Sequence, residues 1–461
     1  MKKTRRLLAL VLALAMTAMM TACGGSSAPA ETEAPAETEA AAPETEAAAP
    51  ETEAPAEEAE APAETEAAAE PAEVSGDAIP IGAVLPLTGS STGEFLKAAM
   101  EVAEDIVNNS HDLDWDLAKN EGILGGQKIK VTFADHQASA DIATTEAANL
   151  LDQGVVAITG AYNSGCSASV ATQALEYGVP MVCGSSSSAS LTDGTTYTFG
   201  PIFNRVAAND EQESIEFFEY LKLLNEKYDA GIKKVSIAWI NNSYGIHADE
   251  MFRKYAEENG FEVAASVSYE ATATSFDTEA AQIKDSGADA VFQASYIGDL
   301  TLFAQAYSSL EFHPKAIVCY CGGFQDASFA QVAMDLGVNA YAGGQACTAQ
   351  LSDKLPVFAY VNELYKAKTG QDIDGPALEE FASVIIVAQA IDAAGSTDPE
   401  AINAALKAGE FEAPYLITQK VHFDENGQND IMPAVVTQLI DGKYEVVYPV
   451  DEYTTSEPVV E

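Results

Sequence analysis

Short apolar runs alternate with longer amphipathic stretches from residue 79 onward, and this alternation predicts an α/β architecture with parallel sheets. The first predicted strands are 79–85, 128–134, 155–159 and 179–182. Helical apolar spacing without internal Pro or Gly fills the segments between these strands, at 94–108, 142–153 and 166–177.

The same pattern then restarts, with strands predicted at 234–240, 261–269, 290–294 and 315–320. The last third returns to long helices at 376–394 and 399–407 and closes with strands at 416–423, 434–440 and 444–447. Single hydrophobic cores stop growing at about 250–300 residues, so a body of this length predicts two lobes. The last third must dock onto both of them.

Four basic residues within the first six precede an apolar run at 7–20, as in a bacterial signal peptide. The run is shorter than the roughly 20 residues that span a bilayer, so it predicts export and not a transmembrane anchor. The motif Met20-Thr21-Ala22-Cys23 resembles a bacterial lipobox, which implies a signal peptide over 1–22 and a lipid on Cys23. An ordinary secretory signal with an incidental Cys is the alternative.

Residues 28–73 consist of Ala, Glu, Pro and Thr, with 15 Glu, no basic residue and five copies of the tetrapeptide Glu-Thr-Glu-Ala. A segment without aromatic or branched aliphatic side chains has nothing to bury. The composition therefore predicts a disordered linker over 23–77 that tethers the body to the membrane. A helical Ala/Glu stalk is the alternative, and the recurring prolines count against it.

The chain carries 71 Asp plus Glu against 23 Lys plus Arg, a formal net charge of −48. A surface this acidic repels phosphate backbones, so nucleic acid is not an expected partner. Arg205 and Arg253 are the only guanidinium groups beyond the N-terminus, which also argues against a basic cluster for phosphorylated ligands.

Ligands of open α/β sheets bind beyond the carboxyl ends of strands, so the residues just after each predicted strand are informative. Those segments are 86–93, 160–166, 183–189, 241–244, 295–299 and 321–326. Hydroxyls, amides and aromatic rings dominate them, and they contain no Lys, Arg or His. The sequence therefore predicts a site of uncharged hydrogen-bond donors and rings for a small solute.

Catalytic motifs are not found in a suitable setting. The segment GCSAS at 165–169 lacks the second Gly of a nucleophile elbow, and GILGGQ at 122–127 lacks the Lys of a phosphate-binding loop. No His falls at a predicted strand end to act as the base for Ser164. We therefore expect a binding protein and not an enzyme.

The five cysteines of the body are an odd number, and the five histidines are scattered without metal-ligand spacing. Cys319 and Cys321 fall on alternate positions of a predicted strand, so they could bind a metal only with ligands from elsewhere. Buried thiols are the favoured interpretation of Cys166, Cys183, Cys319, Cys321 and Cys347. No metal, cofactor or disulfide is expected.

Several stretches, in this order and spacing, resemble the leucine/isoleucine/valine-binding family of extracytoplasmic solute receptors, which serve ABC importers. They are IGAVLPLTG at 81–89, GILGGQKIKV at 122–131, ALEYGVPMV at 174–182, ADAVF at 288–292, AQAIDAAGSTDPEAINAAL at 388–406 and FDENGQN at 423–429. The resemblance implies the type I periplasmic binding protein fold, a monomer with two Rossmann-like lobes joined by three chain crossings. Its lobes would be 78–202 with 346–430, and 203–345 with 431–461.

The resemblance also implies a ligand site. It assigns Ser164, Ser185 and Ser187 of the first lobe to a bound amino acid's carboxylate and ammonium, and Tyr244 and Tyr296 of the second lobe to the closing side. Small hydroxyl residues at a strand end and a helix start offer convergent donors, and the helix dipole favours an anion. Turn or capping serines and loop-packing tyrosines are the alternatives.

One position departs from that family. Its members that bind amino acids often carry a Glu after the strand at 315–320 that pairs with the ligand's ammonium, and Gly322 stands there in this chain. A buried ammonium without a carboxylate is costly, so either another acid replaces it or the ligand lacks the group. Asp299 is one candidate, as a ligand contact or as the N-cap of a helix from Leu300. Asp326 is the other, more readily interpreted as a loop acid.

The sequence thus predicts a lipid-anchored, extracytoplasmic solute-binding protein. It would capture an amino acid by hinge closure and deliver it to the permease of an ABC importer. A carboxylate without an α-amino group, such as an aromatic or keto acid, is the alternative ligand. Presentation of the ligand to a sensory partner is the alternative role.

Overall fold

A computed structural model describes residues 78–89, 93–200, 202–271, 273–338, 340–431 and 435–460. The predicted signal peptide, the lipidated Cys23 and the linker up to residue 77 lie outside the described residues.

The first sheet has five parallel strands in the order β2-β1-β3-β4-β5. They are β1 (Ile79–Leu85), β2 (Ile129–Asp135), β3 (Ala157–Gly160), β4 (Met181–Cys183) and β5 (Phe203–Arg205). Four of the five match predicted strands within two residues at each end. β5 was not predicted, because it is only three residues long and ends in a charged residue. It pairs with β4, so the first sheet extends beyond residue 202, where the first lobe was predicted to end.

The second sheet has seven strands in the order β14-β13-β10-β9-β8-β6-β7. They are β6 (Lys234–Ile240), β7 (Glu262–Tyr269), β8 (Ala290–Ala294), β9 (Ala316–Cys319), β10 (Tyr341–Gln345), β13 (Val435–Ile440) and β14 (Lys443–Tyr448). β13 pairs antiparallel with both β10 and β14, and all the other pairs of this sheet are parallel. β10 was not predicted, because the glycines in its sequence YAGGQ weaken the strand pattern.

A separate two-stranded sheet joins β11 (Glu410–Ala413) and β12 (Gln419–His422). Twelve helices occur in the described residues. They are α1 (Glu94–Asn108), α2 (Asp116–Lys119), α3 (Ala140–Asp152), α4 (Ser164–Tyr177), α5 (Asp210–Tyr228), α6 (Ser243–Glu258), α7 (Asp277–Asp285), α8 (Ile297–Ser309), α9 (Phe329–Leu336), α10 (Pro356–Thr369), α11 (Gly375–Ala394) and α12 (Pro399–Ala408). Within this described part of the chain, no helix combines the length and apolarity that a membrane crossing requires.

The chain passes between the two large sheets three times: after β5, after β10 and between β12 and β13. This path creates two lobes, as predicted. The first has an apolar core that includes residues of α1, α10 and α11, and the second has a core rich in aromatic rings. The remaining boundaries predicted for the lobes stay a prediction. Both sheets direct the carboxyl ends of their parallel strands toward loops that meet in the cleft described below.

Candidate functional site

The loop after β3 leads directly into helix α4. Ser164 is the first residue of this helix, two residues earlier than predicted, and it is buried. Its Oγ accepts a hydrogen bond from the Ser188 backbone N–H at 3.3 Å. The buried His136 lies 2.8 Å through Nε2 from the Ala161 carbonyl, which fixes the start of the loop. The hydroxyl therefore sits at a helix N-terminus, where an anion is favoured.

The serine-rich loop after β4 is stabilised by hydrogen bonds to buried charged side chains. Arg205, fully buried, donates from Nη1 to the carbonyls of Ser186 at 3.2 Å and Ser188 at 2.6 Å. Ser185 donates its hydroxyl to Glu380 Oε1 at 2.7 Å, and its backbone N–H points to the same oxygen at 3.2 Å. The loop conformation is thus fixed by partners that do not involve a ligand.

The second lobe contributes aromatic rings. Tyr244 lies in the first turn of α6, which Asn242 caps, and its hydroxyl donates to the Cys321 carbonyl. Tyr296 immediately precedes α8. The two ring centroids are 5.5 Å apart, and Tyr296 also lies 5.9 Å from the ring of Tyr162 in the first lobe. The rings therefore meet across the boundary between the lobes.

These loops surround one small cavity. It is lined by Tyr162, Ser164, Ser185, Ser187, Tyr244, Tyr296, Cys321 and Gly322. Its volume of about 10 Å³ has room for roughly one water molecule, and three of its lining residues are tyrosines. Five of the six predicted ligand residues thus come together from both lobes. An amino acid could enter only after the rings or the lobes move apart.

Asp299, the sixth predicted residue, lies outside this cavity. It lines a neighbouring cavity of about 160 Å³ with Asn163, Asn242 and Tyr296. Burial raises the pKa of its carboxyl to about 6, and the Tyr269 hydroxyl lies 3.5 Å away. The alternative role as an N-cap is wrong, because α8 begins at Ile297 and places Asp299 within its first turn.

Asp326 serves the loop before α9. Its Oδ1 accepts from the Ser328 N–H at 2.9 Å and from the Ser328 hydroxyl at 2.6 Å. These local bonds account for the side chain as a loop acid.

Gly322 has a structural reason to be glycine. Its φ of +117° is rarely adopted by residues with a side chain, and a Cβ there would lie 3.0 Å from the Ser295 carbonyl oxygen and 3.5 Å from the Tyr244 hydroxyl. A side chain at this position would project toward the rings. The tyrosines therefore occupy the space that a Glu would need.

Two lining residues were missed by the sequence analysis. Tyr162 lies in the strand-end segment 160–166, so its position was a usable signal. Only Ser164 of this segment was predicted to contact the ligand. Cys321 was interpreted only as a buried thiol. Its thiol lies within hydrogen-bonding reach of the Ser187 hydroxyl, and burial with the nearby Glu213 raises its pKa well above the usual range.

Three buried glutamates near the cavity were also missed. Glu213 is on α5, and Glu379 and Glu380 are on α11. Burial raises the pKa of Glu213 to about 8 and that of Glu380 to about 7. The signal was the pair of adjacent acids near the start of an otherwise apolar helix, but sequence alone does not show which elements would pack against them.

In the part of the chain that the structure describes, the cysteines and the acidic residues were compared with the arrangement that a metal ion requires. Cys166, Cys183, Cys319, Cys321 and Cys347 are unbonded thiols. Among the described residues, no group of three or more His, Cys, Asp or Glu side chains is arranged to hold a metal ion.

Two α/β lobes that share one cavity define the class of two-lobed solute-binding proteins. A family model described as periplasmic binding protein matches residues 78–443. The chain belongs to the periplasmic binding protein family, which confirms the resemblance read from its motifs. Members of this family are extracytoplasmic solute-binding proteins and not enzymes.

Its relatives include Leu/Ile/Val-binding protein homolog 8 of Brucella abortus, 27% identical over 383 residues that cover 80% of this chain and 90% of the relative. The branched-chain amino acid transporter substrate-binding protein LivJ from Streptococcus pneumoniae, in complex with isoleucine, matches with a TM-score of 0.66 and 21% identity over 84% of this chain and all of that one (100%). A solute-binding protein of Rhodopseudomonas palustris in complex with benzoate matches with a TM-score of 0.67 and 16% identity over 82% and 99%. The two structures establish the shared fold.

Proposed function

We propose that the protein captures an amino acid in the cavity between its lobes and delivers it to the permease of an ABC importer. The observation that carries the proposal is the convergence of Ser164 and Ser187 from the first lobe with Tyr244 and Tyr296 from the second. Hydroxyls and a helix N-terminus suit a carboxylate, and the rings suit an apolar side chain. The name of the Brucella relative and the isoleucine complex support this ligand class.

Capture works by closure of the lobes. The cavity is nearly filled in the described conformation, so the open form must admit the solute and the bound form must hold the rings apart. Lipidation of Cys23 would keep the body at the outer face of the cell membrane, within the reach of the linker. The lipid anchor and the partnership with a permease are part of the proposal.

A carboxylate without an amino group is the second candidate. The benzoate complex of the Rhodopseudomonas protein supports it, and so does the lining of the cavity, whose described residues carry no acidic side chain to face an ammonium. Both candidate ligands would place their carboxylate at the serines of the first lobe. Only an amino acid would also require a negative charge near its ammonium group. Presentation of the same ligand to a sensory partner would use the same cavity.

A thermal-shift screen of the purified protein tests the proposal. The ligands are the twenty amino acids, benzoate, 3,4-dihydroxybenzoate and the 2-keto acids of the branched-chain amino acids. A ligand at 100 times its dissociation constant should add about 2.7 kcal/mol to the free energy of unfolding. Stabilisation by amino acids supports the first candidate, stabilisation by the other acids alone supports the second, and no stabilisation by any of them contradicts both.

A further inference from the structure

Four carboxyl groups are buried where the two lobes meet. Asp210 and Glu213 lie on α5, and Glu379 and Glu380 lie on α11 of the first lobe. All four residues are at most 4% exposed. Glycines make room for two of them, because a Cβ at Gly344 would lie 2.6 Å from Glu213 Oε1 and a Cβ at Gly184 would lie 2.5 Å from Glu380 Oε2.

Two of these carboxyl groups already have partners. Glu380 accepts from the hydroxyl and backbone N–H of Ser185. Asp210 Oδ1 lies 2.9 Å from His247 Nδ1 and accepts from the Ala189 N–H at 2.9 Å. These hydrogen bonds help to stabilise the two groups inside the protein, although Asp210 Oδ2 has no hydrogen-bond partner among the described residues.

Glu213 and Glu379 are poorly compensated. Glu213 Oε2 accepts a long bond, 3.4 Å, from the Cys321 N–H, and the Cys321 thiol, a weak donor, is also within reach. Glu379 Oε2 is buried and has no hydrogen-bond partner among the described residues. The guanidinium of Arg205 is nearby, but its hydrogen bonds go to neutral acceptors on Ser186, Ser188, Thr192 and Gln428. A buried carboxyl group with so few partners needs either a proton or a nearby cation.

The uncompensated pair lies immediately behind the cavity wall. Cys321 lines the cavity and donates its N–H to Glu213, and the charges of both Glu213 and Glu379 act on its thiol. Ser187, which also lines the cavity, reaches the same thiol with its hydroxyl. Cys321 thus lies between Glu213 and the space where a solute would be held. Glu379 lies near enough for its charge to act on the same thiol.

We propose that Glu213 and Glu379 compensate the positive charge of an ammonium group on the bound solute, so that the protein selects amino acids over carboxylates that lack the amine. The inference rests on the proposed function of the cavity, and it names the charge that decides between the two ligand classes. The pair acts across the cavity wall, and the lobes must close for both residues to act together.

The electrostatic surroundings support this role. Burial raises the pKa of Glu213 to about 8. The negative charge of Asp210 contributes to this rise, and the positive charge of Arg205 opposes it. Burial raises the pKa of Glu379 well above its usual range, and so do the negative charges of Glu213, Glu380 and Asp374. The positive charge of Arg205 opposes this rise. Without a ligand, Glu213 therefore holds a proton near neutral pH, and the surroundings of Glu379 favour its protonated form. An ammonium ligand should displace these protons, because a cation now stabilises the ionised form.

The test compares matched ligands on matched variants. Calorimetry on the full chain would titrate L-leucine against 4-methylpentanoate and L-phenylalanine against 3-phenylpropanoate, at pH 7 in buffers of different ionisation enthalpy. The variants are Glu213→Gln, Glu379→Gln and their combination, with Glu216→Gln as control, since Glu216 lies on the same helix outside the pair. We expect the double variant to lose at least about 30-fold in affinity for the amino acid and little for its deamino analogue. The wild-type protein should release protons only with the amino acid.

Each outcome decides the matter. Unchanged amino-acid affinity in the double variant overturns the inference and leaves the proposed function standing. An equal loss for both ligands of a pair, or wild-type binding of the deamino acids alone, also overturns it. Absence of binding by any of the four ligands, with none of the twenty amino acids active in the thermal screen, would remove the proposed amino-acid function itself. If a Gln variant does not fold, proton release by the wild-type protein still decides.

Discussion

The first lobe presents small hydroxyl side chains to the cavity, whereas the second lobe presents aromatic rings. On the serine side, Ser164 and Ser185 have hydrogen-bond partners within their own lobe, and Arg205 stabilises the loop that contains Ser185. On the aromatic side, Tyr296 lies 5.9 Å from the opposite ring of Tyr162. The serine side is arranged before any ligand binds, and the aromatic side depends on how the lobes close. Rigid donors and a movable cover are what capture by hinge closure requires.

Among the changes that test the difference between the two sides, Gly322→Glu on the aromatic side should have the largest effect on solute binding. The new side chain would meet the Ser295 carbonyl and project toward Tyr244, and the φ of +117° would be strained by about 1–3 kcal/mol. We expect no measurable solute binding and a lower free energy of unfolding. Gly298→Glu adds the same charge where a Cβ meets nothing within 4 Å, so it should behave like the wild-type protein. Calorimetry and urea unfolding measure both effects, and retained binding in Gly322→Glu would show that the rings do not mark the ligand's position.

The raised pKa of the buried Glu213 predicts that the stability of the protein depends on pH. Its pKa is about 8 in the folded protein against 4.5 for the free group, so the folded state holds a proton that the unfolded state has lost. The contribution of Glu213 to the free energy of unfolding should therefore be fully present below about pH 4.5. It should be lost as pH rises toward 8, an amount on the order of 1–4 kcal/mol.

Glu213→Gln should flatten this decline, and Glu219→Gln, an exposed acid on the same helix, should not. Urea titrations between pH 5 and pH 9 compare the three proteins. Parallel curves for the wild-type protein and Glu213→Gln would mean that Glu213 is ionised throughout.

Tyr296→Ala tests the contribution of the movable side. The change removes a ring that contacts both Tyr162 and Tyr244, and truncation of such a central aromatic residue typically costs about 2 kcal/mol or more of binding free energy. The affinity should fall about 30-fold, while Tyr255→Ala, outside the cavity, should leave it unchanged. An unaltered affinity would assign the ring to loop packing.

The smallest effect is expected at Ser185, although the sequence placed it among the ligand contacts. Its hydroxyl is already donated to Glu380, so Ser185→Ala should change affinity less than about threefold. The same change removes the hydroxyl donor of a buried carboxyl and leaves it the longer bond from the Ser185 N–H, which should lower the free energy of unfolding by about 1–3 kcal/mol. Ser110→Ala, on an exposed loop, is the control. A loss of affinity larger than that of Ser164→Ala would show that Ser185 turns to the ligand.

The fold was largely predictable from the sequence, because most strands are apolar runs separated by well-spaced helices. Ile79–Leu85, Lys234–Ile240 and Ala290–Ala294 were predicted with their observed bounds. The strands Phe203–Arg205 and Tyr341–Gln345 were not, because short or glycine-rich strands depend on partners that are distant in the chain.

The candidate site was predictable where it follows strand ends. Ser164, Ser187, Tyr244 and Tyr296 were named from such positions and lie around one cavity. Asp299 was placed with them, but the helix that begins at Ile297 carries it to a neighbouring cavity. Glu213 and Glu379 were missed because they come from helices of different lobes, and only the three-dimensional arrangement brings them together.

The most direct test of the central claim is calorimetric titration of amino acids into the wild-type protein and the Ser164→Ala/Ser187→Ala variant side by side. Hydrogen bonds to a charged group contribute about 1.5–3 kcal/mol each, so the variant should bind at least about 100-fold more weakly. Because Ser164 Oγ also accepts from the Ser188 N–H, the variant should lose about 1–3 kcal/mol of unfolding free energy and remain folded. A stable variant that binds with wild-type affinity would contradict the assignment of the cavity between the lobes as the solute site.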